Sequence, residues 1–214
     1  MGHKINPQGM RVGIINDWRS KWFSKKEYKE NLKQDIEIRQ GIMKRWKNAA
    51  IADVEIERSA RAIKFIIPTA RPGVLIGRGG SGATDLQKYI KDNFFKNQKT
   101  EIKVEIREIK NFEESAAIVA QHIAEQLEKR MPFRKVMKSM MEQVGKNNNI
   151  KGVKIEACGR LGGAEMSRRE WLAKGTLPLH TLRANIDFSR AIAYTTYGTI
   201  GIKVWLYKGE VFDK

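Results

Sequence analysis

The sequence carries a single cysteine, Cys158, three histidines, five prolines, and only 24 acidic residues against 41 basic ones in a chain of 214. One thiol cannot build an internal disulfide framework and fits a reducing compartment, so Cys158 is expected to be a small buried apolar residue. His3, His122 and His180 stand far apart with no second ligand at metal spacing, so no metal site and no cofactor are expected. No run is long and apolar enough to span a membrane. The N-terminus has no apolar signal region, and Met1-Gly2 is followed by Asn6 where a myristoylation site takes Ser or Thr. These absences argue against a secreted disulfide scaffold, a metalloenzyme and a membrane protein, and a cytoplasmic location is expected.

What the chain has in excess is positive charge, a formal +17. Residues 1–110 contribute 24 basic and 13 acidic groups and residues 111–214 contribute 17 and 11, so both halves are basic. Hydrophobic residues make up 41%, enough for a folded chain rather than a disordered basic tail, and the length suits one large or two small domains. A folded chain with excess charge on both halves most often meets a polyanion over a wide surface. An acidic membrane surface is the rival, but no basic amphipathic anchor helix stands out. RNA or DNA is the favoured partner.

The most informative stretch is Arg71 to Ile90, RPGVLIGRGGSGATDLQKYI. Gly77, Arg78, Gly79 and Gly80 lie at the mouth of an amphipathic helix. Glycines there let backbone amides approach an anionic strand closely, the helix N-terminus adds partial positive charge, and Arg78 offers a flat multi-donor head. This is the form of the GXXG loop of KH modules, which clamps single-stranded nucleic acid by its backbone. The same residues match G-x-G-x-x-G formally, but Arg71-Pro72-Gly73 separate the loop from the preceding strand-like run, which ends at Pro68. No Gly-Lys-Ser/Thr closes a P-loop, and a plain glycine-rich turn is the bland alternative.

Around that loop the periodicities predict a regular order. Residues 1–26 read as an irregular arm in which Lys4, Arg11, Arg19 and Lys21 alternate with Trp18, Trp22 and Phe23. Such an arm suits RNA, or else docks its tryptophans on the protein's own core. Glu27 to Lys47 has helical spacing through Tyr28, Leu32, Ile36, Ile42, Met43 and Trp46, with Gly41 a weak point. Asp53 to Arg58 and Ala62 to Ile67 read as strands. A helix follows the loop to about Phe95, and Glu101 to Arg107 is a further strand. Helix, strand, strand, short helix, GXXG, helix, strand is the type II KH arrangement.

Asn111 then reads as an N-cap, with Glu114 completing a capping box for a helix to about Arg130. Pro132 suits the first turn of a second helix to about Val144. There Phe133, Val136, Met137, Met140, Met141 and Val144 share one arc, and Arg134, Lys135 and Lys138 share the other, with no acid before Glu142. Val153 to Cys158, Ser167 to Leu172, and two alternating runs read as strands. The first run buries Leu182, Ala184, Ile186 and Phe188. The second buries Ile200, Ile202, Val204 and Leu206, with Lys203, Trp205 and Tyr207 outward. Arg160 lies in the tight connection GRLGGAE, Arg168 and Arg169 are exposed in a strand, and Arg183 is an outward strand position. The fold class is α+β, with domains at 27–109 (type II KH) and 110–214 (two helices on a mostly antiparallel sheet) after the arm of residues 1–26.

Taken together, MGHKINPQGMRVGI, TARPGVLIGRGG, MPFRKVMK, GRLGGAEMSR and LPLHTLRANIDFSRAIAYTTYGTIGIKVWLYKGE resemble the bacterial form of small-subunit ribosomal protein three over nearly the whole length. The resemblance implies an N-terminal type II KH domain and a C-terminal α/β domain. It also implies binding to ribosomal RNA of the small-subunit head beside neighbouring ribosomal proteins, and contact with incoming mRNA at the entrance tunnel. In the family, basic residues on the helix after the proline line that tunnel and help unwind structured mRNA, a role that falls here on Arg134, Lys135 and Lys138. Candidates for ribosomal RNA are Lys4, Arg11, Arg19, Lys21, Arg160, Arg168, Arg169 and Arg183. Three departures stand out. Gly79 follows Arg78 where members often carry two basic residues, Met131-Pro132 places a rigid proline before the basic helix, and the chain stops at Lys214 without the longer tail of many relatives.

The expected function is therefore that of a structural RNA-binding protein of the small subunit, not an enzyme and not a homo-oligomer. A free-standing KH regulator of mRNA is the rival from another class. A nucleotide-binding enzyme stands behind it, lacking an acidic ribose-binding residue in the right context.

Overall fold

The computed structural model describes residues 4–59, 62–95 and 101–212; Met1-Gly2 and His3, named above, lie outside them. The chain divides into two units. One runs from Trp18 to Lys110, and the other joins the N-terminal segment up to Asp17 with Asn111 onward. The basic arm of residues 1–26 is thus shared between them. No helix among the described residues is long and apolar enough to cross a membrane, and no group of potential metal ligands occurs among them.

The unit from Trp18 is a four-stranded sheet in the order β1 (Ser20–Lys21), β2 (Glu55–Arg58), β3 (Ala62–Thr69), β4 (Glu101–Glu108). The β2–β3 pair is antiparallel, and the β1–β2 and β3–β4 pairs are parallel. β3 does not stop at Pro68. Proline lacks an amide donor, but its carbonyl accepts from the Ala52 N–H at 2.9 Å, and the strand runs on to Thr69. The long helix α2 (Tyr28–Arg45) passes through Gly41 without a break. It buries Asp35, Ile38 and Ile42, while Tyr28, Leu32, Ile36 and Met43 are exposed. At about 100° per residue those four form a stripe beside the buried one, not on it. Its core partners come from β2, β3, Leu75, and Leu86 and Ile90 of the helix after the glycine loop.

A buried carboxylate ties this unit together. Asp35 accepts hydrogen bonds from the Ser20 hydroxyl at 2.7 Å, the Trp22 indole at 2.8 Å and Arg58 Nε at 2.9 Å. It joins β1 and Trp22 to α2 and β2. Trp22 therefore docks on its own protein, while Trp18 and Phe23 stay exposed.

The second unit packs two helices on an antiparallel sheet in the order β6 (Arg168–Gly175), β5 (Gly152–Gly159), β8 (Gly198–Glu210), β7 (Ala184–Thr195). α5 is Ala116–Glu128 and α6 is Phe133–Val144. Helix α5 begins five residues after Asn111. Ser115 is its N-cap residue without a side-chain cap, and the Ala116 N–H donates instead to Asp187 of β7 at 2.8 Å. A cap supplied from a distant strand leaves no local signature. Asn111 still meets Glu114, but side chain to side chain at 3.1 Å. Pro132 is the N-cap of α6 and not its first residue. Before β7, Leu182 is exposed.

From Val204 to Tyr207 both faces of β8 are buried. Ile200, Ile202, Val204 and Leu206 pack under the helices, while Trp205 and Tyr207, expected outward, close a second small core with Ala184, Ile186 and Phe188. That core is roofed by Leu177 and Leu179 of the β6–β7 connection. A short helix, α1 (Pro7–Met10), lies beside β7, and its Gln8 Nε2 donates to Asp187 at 2.8 Å. Cys158, expected to be buried, is exposed, because its strand position points to the helix-free side of the sheet.

Two expected outcomes follow. Asp35→Ala leaves Arg58, whose side chain is 9% exposed, without its carboxylate. It should lower stability by about 3–5 kcal/mol in urea unfolding, and a change below about 1 kcal/mol would contradict the hub role. Glu114 accepts from Asn149 at 3.0 Å and from Asn147 and Asn111 at 3.1 Å each, and these bonds hold its carboxyl below the usual carboxylate range. A depressed pKa in the folded state gives stability that is full above the ordinary glutamate value of about 4.3 and is lost as pH falls through the folded value. Urea unfolding from pH 7 to pH 3 should therefore show less acid destabilisation in Glu114→Gln than in the parent.

Candidate nucleic-acid interface

The glycine loop is held open by its own backbone. A one-turn helix, α3 (Pro72–Ile76), delivers the chain to Gly77, and α4 (Ser81–Phe94) carries it away. Gly77 has φ +68°, and Gly79 and Gly80 have φ +60° and +82°, a region that side chains disfavour. Gly82, outside the GXXG set, is the tightest glycine of this loop. A Cβ there would lie 2.4 Å from the Leu75 carbonyl oxygen, so its absence is what lets α4 start against α3. Arg78 is exposed and has no ion pair among the described residues. Lys88 and Lys91 are exposed three residues apart on α4, extending positive charge from the loop. They were not singled out in the sequence, where Asp85 and Asp92 beside them hide the pattern.

The second group of candidates sits on α6. Its buried face is Val136, Met137, Met140 and Val144, which leaves Arg134, Lys135 and Lys138 at the surface. Lys135 and Lys138 make no ion pair with a described residue. Arg134 does: its Nε lies 3.3 Å from Glu170 Oε2, and Glu170 Oε1 is 2.9 Å from Arg168 Nε. Both guanidinium groups also approach the Phe133 ring, at 5.7 Å and 5.5 Å. Arg134, and then Arg168, hold the Glu170 carboxyl below its ordinary range. Sequence reasoning missed Glu170, whose only signal is its period-two spacing from Arg168 on β6. The same alternation puts Arg168 and Arg169 on opposite faces of the sheet.

The remaining candidates differ in what they are free to do. Arg11 is fully buried, so it cannot reach RNA. Its guanidinium donates to the carbonyls of Pro7, Leu179 and Thr181 at 2.9 Å each, and burial pulls its pKa down. Arg160 staples its glycine-rich connection, donating to the carbonyls of Ala164 and Tyr197 at 2.9 Å. Arg19 pairs with Asp53 at 2.6 Å, Lys21 with Glu57 at 4.0 Å, Arg169 with Glu156 at 3.7 Å and Arg183 with Glu210 at 2.7 Å. All four keep about half of their side chains in water. Lys4 is exposed. GXXG and α6 belong to different units, and each is a site in its own right.

In comparison with known proteins the glycine loop and α6 fall within different family matches. Residues 37–114 match the KH domain family, and residues 123–206 match the family described as Ribosomal protein S3, C-terminal domain. The small ribosomal subunit protein uS3 of Coxiella burnetii is 47% identical over 212 residues, covering 99% of this chain and 91% of the relative. Those of Desulfitobacterium hafniense and Exiguobacterium sibiricum are 46% and 48% identical, each covering 99% of this chain and 94% and 95% of the relative.

Loop geometry makes a direct test possible. In the purified chain, Arg78→Ala should weaken binding to a single-stranded RNA oligomer. It should also make the salt slope shallower by about 0.7, the share of one phosphate contact. Gly82→Ala should weaken binding as well, by displacing the start of α4. An unchanged slope in Arg78→Ala would take that side chain out of the interface.

Proposed function

The chain belongs to the family of small ribosomal subunit protein uS3, whose members are structural and not enzymes, and from that premise we propose that it is built into the head of the small subunit, binds small-subunit ribosomal RNA there, and contacts mRNA at the entrance tunnel. Residues 27–109 act as the type II KH domain and residues 110–214 as the C-terminal ribosomal domain, with the basic arm of residues 1–26 divided between the two units. The neighbours are ribosomal RNA, mRNA and other head proteins in the cytoplasmic subunit.

The observation that carries the mRNA role is the asymmetry of α6. One face is sunk in the core through four residues, and the other offers Arg134, Lys135 and Lys138 in its first half, with Glu170 on Arg134 and the exposed Glu142 one turn beyond Lys138. A rigid helix that cannot roll holds three cations in fixed array, as a track for a polyanionic strand requires. Such a track grips one strand by its phosphates while the other strand of a hairpin is left outside. Strand separation is then passive, driven by movement of mRNA through the ribosome. Arg78 and the glycine loop serve a separate RNA contact by backbone approach. The remaining exposed cations neutralise ribosomal RNA phosphates.

Replacing Arg134 and Lys138 together by alanine should slow translation through a stable mRNA hairpin several-fold. Unstructured messages and subunit assembly should be left unchanged. Hairpin read-through at the parental rate in the double variant would refute the α6 track. Loss of assembly would instead assign these residues to ribosomal RNA.

A further inference from the structure

The helix-free face of the C-terminal sheet is two surfaces in one. Register across β6, β5, β8 and β7 sets Ala173, Lys154, Trp205 and Phe188 side by side, with Trp205 and Phe188 buried in the small core under Leu177 and Leu179. One step along the strands the cover ends. The next row is Trp171, Glu156, Lys203 and Arg190, and the row after it is Arg169, Cys158, Gly201 and Ile192. Trp171 is 55% exposed, Ile192 52%, and Tyr194, two residues further on β7, 66%.

This open half is charged in one sense. The one acid among the strand residues of these rows, Glu156, is 3% exposed and sits beneath two cations, with Arg169 Nε at 3.7 Å and Lys203 Nζ at 3.6 Å, while at the β7 edge Glu128 of α5 accepts from the Tyr194 N–H at 3.1 Å. The Arg169 and Lys203 side chains remain 46% and 45% exposed, and Arg190 is exposed beside them. The aromatic group is pre-set. Lys154 lies 4.8 Å from the Trp171 ring and 5.4 Å from the Trp205 ring, wedged between the two, so it braces the indole from the covered side. In the middle Gly201 contributes no side chain. A Cβ there would meet only the Cys158 carbonyl oxygen, at 3.8 Å, which leaves the strand backbone open to close approach.

We propose that this open half of the sheet is a platform for an unpaired segment of RNA, with a base stacked on Trp171, a second at Tyr194, and phosphates on Arg169, Lys203 and Arg190. Exposed aromatics spaced among cations on a flat antiparallel face are what sequence-tolerant single-strand binding uses. A protein partner is disfavoured because the centre of a protein interface is depleted of charge, and here the centre is the Arg169–Glu156–Lys203 cluster. The platform rests on the ribosomal reading above, and in that setting the RNA is an unpaired stretch of the small-subunit RNA.

Cys158, the single cysteine, lies inside the platform and serves as a probe. Small subunits are first isolated from cells carrying this chain, and its presence in them is scored. Absence there would overturn the ribosomal reading itself, and the platform with it, before any labelling. Alkylation of Cys158 by a maleimide is then timed in the free chain and in the subunit, and p-benzoylphenylalanine is placed at Ile192 for photo-crosslinking in the subunit. The platform requires Cys158 to react about tenfold or more slowly in the subunit, and the Ile192 probe to crosslink to RNA. It also requires that crosslink to drop in a Trp171→Ala, Arg190→Ala background that still assembles. Equal thiol reactivity in both states, a crosslink to a protein, or a yield indifferent to the double substitution would each overturn it.

Discussion

Everything in this structure answers to one constraint: a chain with 41 basic and only 24 acidic residues must fold without its cations driving it apart. Several carboxylates are accordingly placed where one acid meets more than one donor. Asp35 holds a serine, an indole and an almost buried arginine. Glu156 sits under Arg169 and Lys203, and Glu170 holds Arg134 and Arg168. Asp187 accepts from the first amide of α5 and from Gln8, joining the N-terminal segment to the sheet. Where no carboxylate is at hand, Arg11 uses backbone carbonyls instead. Among the cations without an ion pair to a described residue are Arg78, Lys135 and Lys138, and these project to solvent. The functional surface is thus the remainder of a folding solution.

The same allocation explains which candidates act as contacts and which as scaffold. A positive residue in sequence is only a potential contact. Arg11 and Arg160 are consumed in holding turns, whereas Lys135 and Lys138 sit on a helix whose opposite side is immobilised by the core. The cover over the helix-free face stops partway along β8 and gives that face a covered half and an open half, while strand alternation sets Arg168 and Arg169, adjacent in sequence, on different surfaces.

Much of the architecture was legible because it rests on local periodicity. The order of elements around the glycine loop, the amphipathic split of α6 and the alternation of β8's inner residues all follow from spacing alone. The misses share a different cause, namely partners distant in sequence. The start of α5 depends on Asp187, the outward-reading Trp205 and Tyr207 are covered by the β6–β7 connection, and Cys158 is exposed because that cover stops short of it. Arg11 looks like any basic residue of an arm until the carbonyls of Leu179 and Thr181 converge on it. Glu170 carried no motif. The family signature, by contrast, covered nearly the whole chain, and the KH and S3 C-terminal matches agree with it.

The most direct measurement of the central claim is sedimentation of cell extract through a density gradient in moderate and then high salt, following where this protein runs. The account predicts that it travels with the small subunit, equimolar with other head proteins, and stays there in high salt. Its attachment would then join a folded, shape-matched surface to its phosphate contacts. A protein found at the top of the gradient in moderate salt would contradict the account and return the glycine loop to a free-standing RNA-binding role.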